Sequence, residues 1–503
     1  MPLSVTMTKT AEASEASAGD LAEGLAPRTR NIRYAGLLLG ALLAVTAGLA
    51  MPQDVSHEAR VTAGVVVLMG VWWITEAAPL PVTALLPLVL FPAFGVTTMD
   101  ELAPSYASQI IFLFLGGFLL ALGIQRWNLH RRIALLVVLA VGTRPTRMIL
   151  GMMIATAALG MWVSNTATAL MMIPLGLSLV GLIEDQDGVA RRSRFGVGLM
   201  LGIAYSATIS AFGTIIATPG NVFVVGFISE NLGYTVTFLQ WMAFGIPFTA
   251  VFLLGGWFLI AKVIWRPEID ELPGGRQLFL DELSKLGRMS AGEKLISLVC
   301  LGAALSWILV PLVFDDPWAT DAVIAMIAGL AAFLIPARAA EGVMLMDWGT
   351  AREIPWGTLI LFGGGLALSS QVTATGLSDW VGESFSGLGG LPFWLVLAVI
   401  LLAVLALTEI TSSMATIATF VPIVAGVASG MGYDPVLLAI LVTQACQCAF
   451  MLPVATAPNA IAFGSGAVSI RQMVKTGLWM NALGFCLIMV LAFTLVPWAV
   501  GGA

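Results

Sequence analysis

Apolar runs of roughly 20 residues, the length that spans a bilayer as a helix, recur along the whole chain between short polar segments. An amphipathic stretch lies at 128–142, and polar stretches lie at 265–292 and 373–388. Ser290 followed by Glu293 predicts a capping box at a helix start. The pattern predicts an all-α polytopic membrane protein with about eleven crossing segments, at residues 33–50, 61–79, 82–97, 106–125, 195–228, 238–264, 293–313, 318–336, 355–371, 435–468 and 473–500.

Two further apolar segments, residues 148–183 and 391–429, are each long enough for two half-depth helices. If neither segment crosses the membrane, all 23 Lys and Arg residues except Arg60 lie on one side, as the positive-inside rule requires. We therefore predict two re-entrant hairpins that enter from opposite faces. The N-terminus is then cytoplasmic and the C-terminus external, and we expect the protein in a bacterial inner membrane.

Composition agrees with a membrane protein, because only 10% of the residues are charged, against about 25% in soluble domains. With only His57 and His130, a histidine-rich zinc or catalytic centre is excluded. The four cysteines lie in apolar segments, where they act as small apolar side chains. The sequence has no phosphate-binding loop and no nucleophile–histidine pairing, so we do not expect an enzyme.

The two halves of the chain repeat the same motifs in the same order. At one constant offset, that between Ser164 and Ser412, the paired positions are Gly116 and Gly364, Gly117 and Gly365, Ala167 and Ala415, Thr168 and Thr416, and Pro174 and Pro422. At a second, slightly shorter offset they are Thr218 and Thr456, and Asn221 and Asn459. Because the hairpins enter from opposite faces, the repeats are inverted, as in secondary transporters whose substrate site lies at the repeat interface.

Polar residues within the apolar segments mark the candidate site, because burial in a membrane is costly without partners. One cluster is residues 164–168, midway through the first hairpin, and another is residues 408–413, midway through the second. Each repeat also contains a broken helix, and the predicted break residues are Gly213, Thr214, Thr218, Pro219 and Asn221, and then Pro453, Thr456, Pro458 and Asn459. Half-helix N-termini favour anions, and free carbonyls with Ser, Thr and Asn oxygens suit sodium.

The two hairpin centres contain no Lys, Arg or His, so helix ends, hydroxyl and amide donors and co-bound cations must balance the charge of an anion. This favours ion-coupled transport of a small anion. A single cluster is weak evidence, because Ser and Thr in membrane helices often bond back to the carbonyl four residues earlier, but both halves carry one. Two roles remain for Glu409: it is a binding-site or proton-coupling residue, or it is a structural acceptor for backbone N–H groups. We favour the structural role slightly. Glu76 is expected to be structural.

At these motifs the chain resembles the divalent anion/sodium symporter family, which includes the INDY proteins and citrate and sulfate cotransporters. The matching stretches are WWITEAAPLPVTALLPLVLFP, FLFLGGFLLALGIQRWNLHRRIAL, SNTATALMMIP, GTIIATPGN, TEITSSMATIATFVPI and MLPVATAPNAIAFGSG. The resemblance implies a homodimer in which a transport domain moves against a scaffold domain by an elevator mechanism. It implies a di- or tricarboxylate, or sometimes sulfate, as substrate, with Na⁺ as the coupling ion.

That architecture divides the chain into a tail, two repeats and a linker. The expected units are a disordered cytoplasmic tail at 1–32, a first helix and external loop at 33–60, repeat 1 at 61–264 (scaffold 61–142, transport part 143–264), a cytoplasmic linker at 265–292, and repeat 2 at 293–503 (scaffold 293–388, transport part 389–503).

The resemblance also implies ligand roles for individual residues. The implied substrate-binding residues are Ser164, Asn165, Thr166, Ser412, Ser413, Met414 and Thr456. The implied sodium sites use Ser164, Asn165 and Gly213 in the first half, and Thr408, Thr411, Ser413 and Ala455 in the second.

The second Ser-Asn-Thr motif is altered, because Ser413 stands in the place of Asn and Met414 in the place of Thr. A shorter hydroxyl and an apolar thioether provide fewer hydrogen bonds than an amide and a hydroxyl. The leading hypothesis is sodium-coupled import of a small organic dianion, and the preferred substrate is a C4-dicarboxylate such as succinate, fumarate or malate. The alternative is a sodium-independent exchanger or a sulfate or sulfonate carrier, and a channel is the candidate from another class.

Overall fold

The computed structural model describes residues 27–142, 144–187, 193–269, 275–314, 319–385 and 391–501. These residues are helical apart from turns, loops and one isolated bridge between Pro336 and Met344. Within them, nine helices are long and apolar enough to cross a membrane: Arg30–Ala50, His57–Thr75, Met99–Arg126, Arg194–Phe212, Phe238–Ile264, Ala291–Val313, Trp356–Ala374, Ser413–Gly430 and Ile470–Val500. The prediction of an all-α polytopic membrane protein is confirmed.

The helix bounds follow the predicted segments closely. In the first half the helices are Pro27–Ala50, His57–Thr75, Leu80–Thr83, Leu86–Ala93, Met99–Leu102, Gln109–Arg126, Leu129–Val141, Pro145–Gly160, Asn165–Asp187, Arg194–Ile209, Pro219–Asn231 and Phe238–Phe258. In the second half they are Gly275–Lys285, Ala291–Val313, Asp321–Leu334, Trp348–Ala351, Trp356–Ala374, Leu377–Phe385, Phe393–Thr408, Ser413–Gly430, Pro435–Gln447, Ala457–Gly464, Ile470–Phe493 and Leu495–Val500. The first helix begins at Pro27 rather than at residue 33, and the part of the expected tail before it lies outside the described residues.

The segment predicted as one span at 82–97 is an apolar helical segment, Leu80–Ala93, that is interrupted between the helices Leu80–Thr83 and Leu86–Ala93. Pro87 has no N–H with which to bond the carbonyl four residues earlier, which ends a continuous helix here. The carbonyl of Ala84, at the break, accepts a hydrogen bond of 2.6 Å from the Tyr106 hydroxyl. The apolar pattern was correct, but the prolines divide the segment.

The polar stretch at 265–292 contains a helix, Gly275–Lys285, that packs against the amphipathic helix Leu129–Val141. Arg132 of the amphipathic helix forms a buried ion pair of 2.8 Å with Glu293. Ser290 and Glu293 form the predicted capping box. Glu282 accepts hydrogen bonds from Lys285 and from Arg131, and these hold the pKa of Glu282 below its usual value.

The two predicted hairpins are both present as helix–turn–helix units. The first joins Pro145–Gly160 to Asn165–Asp187, and the second joins Phe393–Thr408 to Ser413–Gly430. We call residues 161–166 the first tip and residues 409–414 the second tip. The second helix of each begins at equivalent positions, since Asn165 and Ser413 are paired at the same offset as Ser164 and Ser412.

Both predicted broken helices are also present. The first consists of Arg194–Ile209 and Pro219–Asn231, and the second of Pro435–Gln447 and Ala457–Gly464. We call residues 210–218 the first break and residues 448–456 the second break. Helix Asn165–Asp187 of the first hairpin packs against Ala457–Gly464 of the second broken helix, and Ser413–Gly430 of the second hairpin packs against Pro219–Asn231 of the first broken helix.

The broken helices lie at the centre of the molecule. Residues 195–212 are all buried, whereas only 17% of an apolar 18-residue window in Ala291–Val313 is buried. A helix that is apolar on all sides and fully enclosed is a core element, while a largely exposed apolar helix faces lipid. The two breaks therefore lie within protein, where unpaired backbone groups can find partners.

Candidate functional site

The first tip is organised by its own side chains. The Ser164 hydroxyl accepts a hydrogen bond of 3.3 Å from the backbone N–H of Ala167, as an N-cap does. The Asn165 side-chain oxygen accepts one of 2.8 Å from the N–H of Thr166. Ser164 is exposed, and Asn165 and Thr166 are half-buried. These polar groups therefore remain accessible to a ligand at a helix N-terminus, where an anion is favoured.

The second tip is held by hydroxyl contacts of a different kind. The hydroxyls of Thr408 and Ser413 lie 3.2 Å apart, and those of Thr411 and Thr416 lie 2.8 Å apart. Thr408 also donates to the carbonyl of Cys446 at 2.7 Å, which ties the tip to the second broken helix. Ser412 is at the N-cap position but its side chain makes no cap hydrogen bond.

Each break is closed by one asparagine in the same way. Nδ2 of Asn221 donates to the carbonyls of Ala211 and Thr214, at 2.6 and 2.8 Å. Nδ2 of Asn459 makes the equivalent pair of bonds, at 3.1 and 3.2 Å, and the acceptors are the carbonyls of Ala449 and Leu452. Asn221 and its two acceptor residues pair with Asn459 and its two acceptor residues at the second, shorter offset of the repeat. The internal repeat therefore extends to individual hydrogen bonds.

The side-chain oxygens of the two asparagines differ. Oδ1 of Asn221 accepts a bond of 2.6 Å from Gln447, which belongs to the other repeat. Oδ1 of Asn459 is buried and has no hydrogen-bond partner among the described residues. At the same shorter offset, the residue that pairs with Gln447 is Ile209, which has no polar side-chain atom. The first break is thus closed more completely than the second.

Glu409 is buried in the second tip and faces the second break. Its carboxylate accepts hydrogen bonds from the backbone N–H groups of Phe450, Met451 and Leu452. Nδ2 of Asn481 donates a further bond of 2.6 Å. This geometry supports the structural role preferred for Glu409, because the carboxylate satisfies backbone donors that the break leaves free.

The other predicted residues lie at the tips and breaks. Gly213 packs against the side chain of Met161 in the first tip. Thr456 is in the second break with a buried hydroxyl that has no partner among the described residues. Ala455 is buried next to it. Met414 lies against Gly220, at the start of the second half of the first broken helix, so it fills space between the repeats.

Four helix N-termini begin at the tips and breaks, at Asn165, Pro219, Ser413 and Ala457. Helix N-termini carry partial positive charge and free N–H groups, so they stabilise anions. No group of three or more His, Cys, Asp or Glu residues in the described part of the chain could hold a metal ion. Hydroxyl, amide and carbonyl oxygens are the available cation ligands, and this donor set fits Na⁺ but not zinc.

Two side chains of the site were not predicted. Gln447 ends the helix before the second break, and Asn481 approaches it from helix Ile470–Phe493. Both are uncharged amides in apolar segments, which is the only signal in the sequence that marks them. Their partners, Asn221 and Glu409, lie far away along the chain.

Known proteins match the chain over nearly its whole length. The transmembrane region of sodium:sulfate symporters matches residues 31–500. The chain is 39% identical over 477 residues to proteins of Staphylococcus saprophyticus and Staphylococcus aureus, each named sodium-dependent dicarboxylate transporter SdcS. These matches cover 93% of this chain and 92% of each relative.

Two solved structures share the fold at low identity. The YdaH transporter of Alcanivorax borkumensis gives a TM-score of 0.53 at 12% identity, over 95% of this chain and 99% of that one. MtrF of Neisseria gonorrhoeae gives 0.58 at 12% identity, over 94% and 96%. The full-length family match and the 39% identity confirm the family expected from the motifs, and the chain belongs to the sodium:sulfate symporter family of membrane transporters.

Proposed function

We propose that this protein is a sodium-coupled transporter of small dicarboxylates. The observation that carries the proposal is the pairing of each hairpin tip with a helix break, twice, in a site without Lys, Arg or His. Such a site holds an anion with helix N-termini, hydroxyls and amides, and it needs cations to balance the charge. The names of the SdcS relatives support dicarboxylate as the substrate and sodium as the cation.

In this proposal each tip binds one end of the substrate. Ser164, Asn165 and Thr166 hold one carboxylate, and Ser412 and Ser413, with Thr456 opposite, hold the other. Two observations support these roles: Ser164 is exposed, and the buried hydroxyl of Thr456 has no hydrogen-bond partner among the described residues.

One sodium ion is assigned to each tip. The first lies among Ser164, Asn165 and Gly213, beside the first break. The second lies among Thr408, Thr411, Ser413 and Ala455, beside the second break. The close approach of Thr408, Ser413 and the Cys446 carbonyl gathers oxygen atoms where the second ion is proposed.

Transport then requires the tips and breaks to move together against the rest of the molecule. We propose that residues 143–264 and 389–503 form this moving part and that residues 61–142 and 293–388 form a scaffold. The scaffold would make a homodimer in a bacterial inner membrane, with the N-terminus in the cytoplasm. The distribution of Lys and Arg supports this orientation.

A thermal-shift screen of the purified protein tests the binding proposal, because a ligand that binds only the folded state raises the melting temperature. Succinate, fumarate and malate should raise it in sodium chloride and have little effect in choline chloride. Sulfate and a short alkyl sulfonate serve as competing candidates. A rise with succinate of equal size in choline would contradict sodium coupling.

A second candidate is a carrier for a sulfonate or another anion with one less polar end. Met414 favours it, because an apolar thioether replaces a hydroxyl at the second tip, beside Gly220. A larger thermal shift with the sulfonate than with succinate would select this candidate.

A further inference from the structure

The two tips are connected by one path, made of hydrogen bonds and covalent links along the chain, that crosses from the second repeat to the first. It begins at the second tip, where the hydroxyls of Ser413 and Thr408 lie 3.2 Å apart. Thr408 then donates to the carbonyl of Cys446 at 2.7 Å. The residue after Cys446 is Gln447, so the peptide bond between them connects the carbonyl that the tip contacts to the side chain of Gln447.

Gln447 carries the path into the first repeat. It is 5% exposed and is the last residue of helix Pro435–Gln447. Its Nε2 donates to Oδ1 of Asn221 at 2.6 Å, and its Oε1 accepts from the hydroxyl of Thr218 at 3.1 Å. Both ends of the amide are therefore used on the first broken helix.

From Asn221 the path reaches the first tip in two steps. Nδ2 of Asn221 donates to the carbonyl of Thr214 at 2.8 Å. The hydroxyl of Thr214 donates to the carbonyl of Met161, in the first tip, at 2.6 Å. Removing the Gln447 amide would thus release the side chain of Asn221, which bonds to the carbonyl of Thr214. Thr214 in turn bonds to Met161 in the first tip.

The reverse connection is absent from the described residues. The equivalent of Gln447 in the first repeat is Ile209, which makes no side-chain hydrogen bond, and Oδ1 of Asn459 has no partner there. Among the described residues, Gln447 is thus the one side chain that links an asparagine of a break to the other repeat. An exact two-fold arrangement would have had two such residues.

We propose that Gln447 is a positioning residue that couples the two tips, so that order at the second tip stabilises the first break and the first tip. The part of this proposal that concerns sodium and substrate binding rests on the proposed function. The path itself exists without a ligand. Removing the Gln447 amide leaves the buried Oδ1 of Asn221 and the hydroxyl of Thr218 without their partner, so the effect of cutting the path should be large.

Hydrogen–deuterium exchange of the full chain in detergent, without sodium or substrate, tests the path directly. The variant is Gln447→Met, which keeps the length of the side chain and removes its hydrogen bonds. The matched control is Gln444→Met, one turn earlier on the same helix, because Gln444 is 1% exposed and its amide has no partner among the described residues. Gln447→Met should speed exchange of amides 161–166 about threefold or more, the size expected from losing one net hydrogen bond.

The control and a second variant complete the test. Gln444→Met should leave exchange at 161–166 unchanged. If Gln447→Met does not fold, Gln447→Leu replaces it, because a branched apolar side chain also removes both hydrogen bonds and places no charge in the buried site. Unchanged exchange at the first tip in the folded Gln447 variant, or an equal rise in the Gln444 control, would overturn the proposal.

Adding sodium and succinate separates this proposal from the proposed function. In the wild type, both ligands together should slow exchange at both tips. In the Gln447 variant they should slow exchange at the second tip, residues 409–414, while the first tip responds at least about fivefold less, a typical size for coupling between sites. If the ligands change neither tip of the wild type, the proposed function fails, and the ligand-free comparison still decides the path.

Discussion

Both carboxylate oxygens of Glu409 lie 3.1 Å from the backbone nitrogen of Met451. Phe450 and Leu452, on either side, donate to the same carboxylate at 2.9 and 3.2 Å. Three consecutive N–H groups of the second break are thereby satisfied by one side chain from the second tip. The tip and the break consequently form one unit, and the unit has a buried carboxyl group beside the proposed second sodium site.

We expect Glu409→Gln to lower both thermal stability and transport. A glutamine keeps one acceptor oxygen but turns an NH₂ group towards backbone donors, and each unsatisfied buried N–H costs about 1–3 kcal/mol. Thermal unfolding of the purified variant and uptake by proteoliposomes measure the two effects. Glu76→Gln is the control, because Glu76 is exposed at a helix end. A Glu409→Gln protein that melts with the wild type would contradict this role.

Two adjacent glycines of the second repeat, Gly364 and Gly365, should differ in what they tolerate. A Cβ on Gly364 would overlap the backbone carbonyl of Ala84, whereas one on Gly365 would meet the ring of Phe223 on the first broken helix. Backbone cannot yield as a side chain can, so Gly364→Ala should prevent folding. Gly365→Ala should fold normally but should transport the substrate more slowly than the wild type.

Fluorescence-detected size-exclusion chromatography reports folding of the two glycine variants, and uptake reports transport. Gly364→Ala with a monodisperse peak equal to that of the wild type would show that the contact with Ala84 is not needed. Normal uptake by Gly365→Ala would show that the contact with Phe223 does not limit movement.

Restoring the family motif at the second tip should favour ordinary dicarboxylates. Ser413→Asn together with Met414→Thr adds an amide and a hydroxyl, and one charge-assisted hydrogen bond corresponds to about tenfold or more in affinity. Competition of succinate against a short alkyl sulfonate measures the change. Met414→Leu alone keeps the site apolar and should not shift the competition. No shift in the double variant would mean that the second tip does not select the substrate.

The ion pair of Arg132 and Glu293 should contribute strongly to stability. Arg132 is 7% exposed and Glu293 is 5% exposed, and removing one member of a buried pair costs about 3–5 kcal/mol. Arg132→Met should therefore lower the melting temperature much more than Arg131→Met, whose more exposed pair with Glu282 is worth about 1 kcal/mol or less. Equal shifts in the two variants would contradict the assignment.

Much of the helical layout could be predicted because it depends on local pattern. The two constant offsets between the repeats paired the polar clusters in which Asn165 and Ser413 begin helices, and they paired the two asparagines of the breaks. A repeated motif implies repeated geometry, even where the local signal is weak. The second break nevertheless begins just after Gln447, before the predicted Pro453, because Glu409 satisfies the donors that an earlier helix end exposes.

Contacts between distant residues could not be predicted from the pattern. Gln447 and Asn221 lie far apart along the chain, in different repeats, and nothing local to either one indicates the bond. The interruption of the span at 82–97 was not predicted for a different reason, because hydropathy does not register the missing N–H of Pro87. The residues that hold the site together are thus harder to find than those at its tips.

Uptake of radiolabelled succinate into proteoliposomes tests the central claim most directly. The inward gradient is sodium in one set of vesicles and choline, at equal ionic strength, in the other. The proposed function predicts that succinate accumulates in the sodium vesicles and that Thr408→Val reduces the accumulation. Equal initial rates with sodium and with choline would contradict sodium-coupled transport.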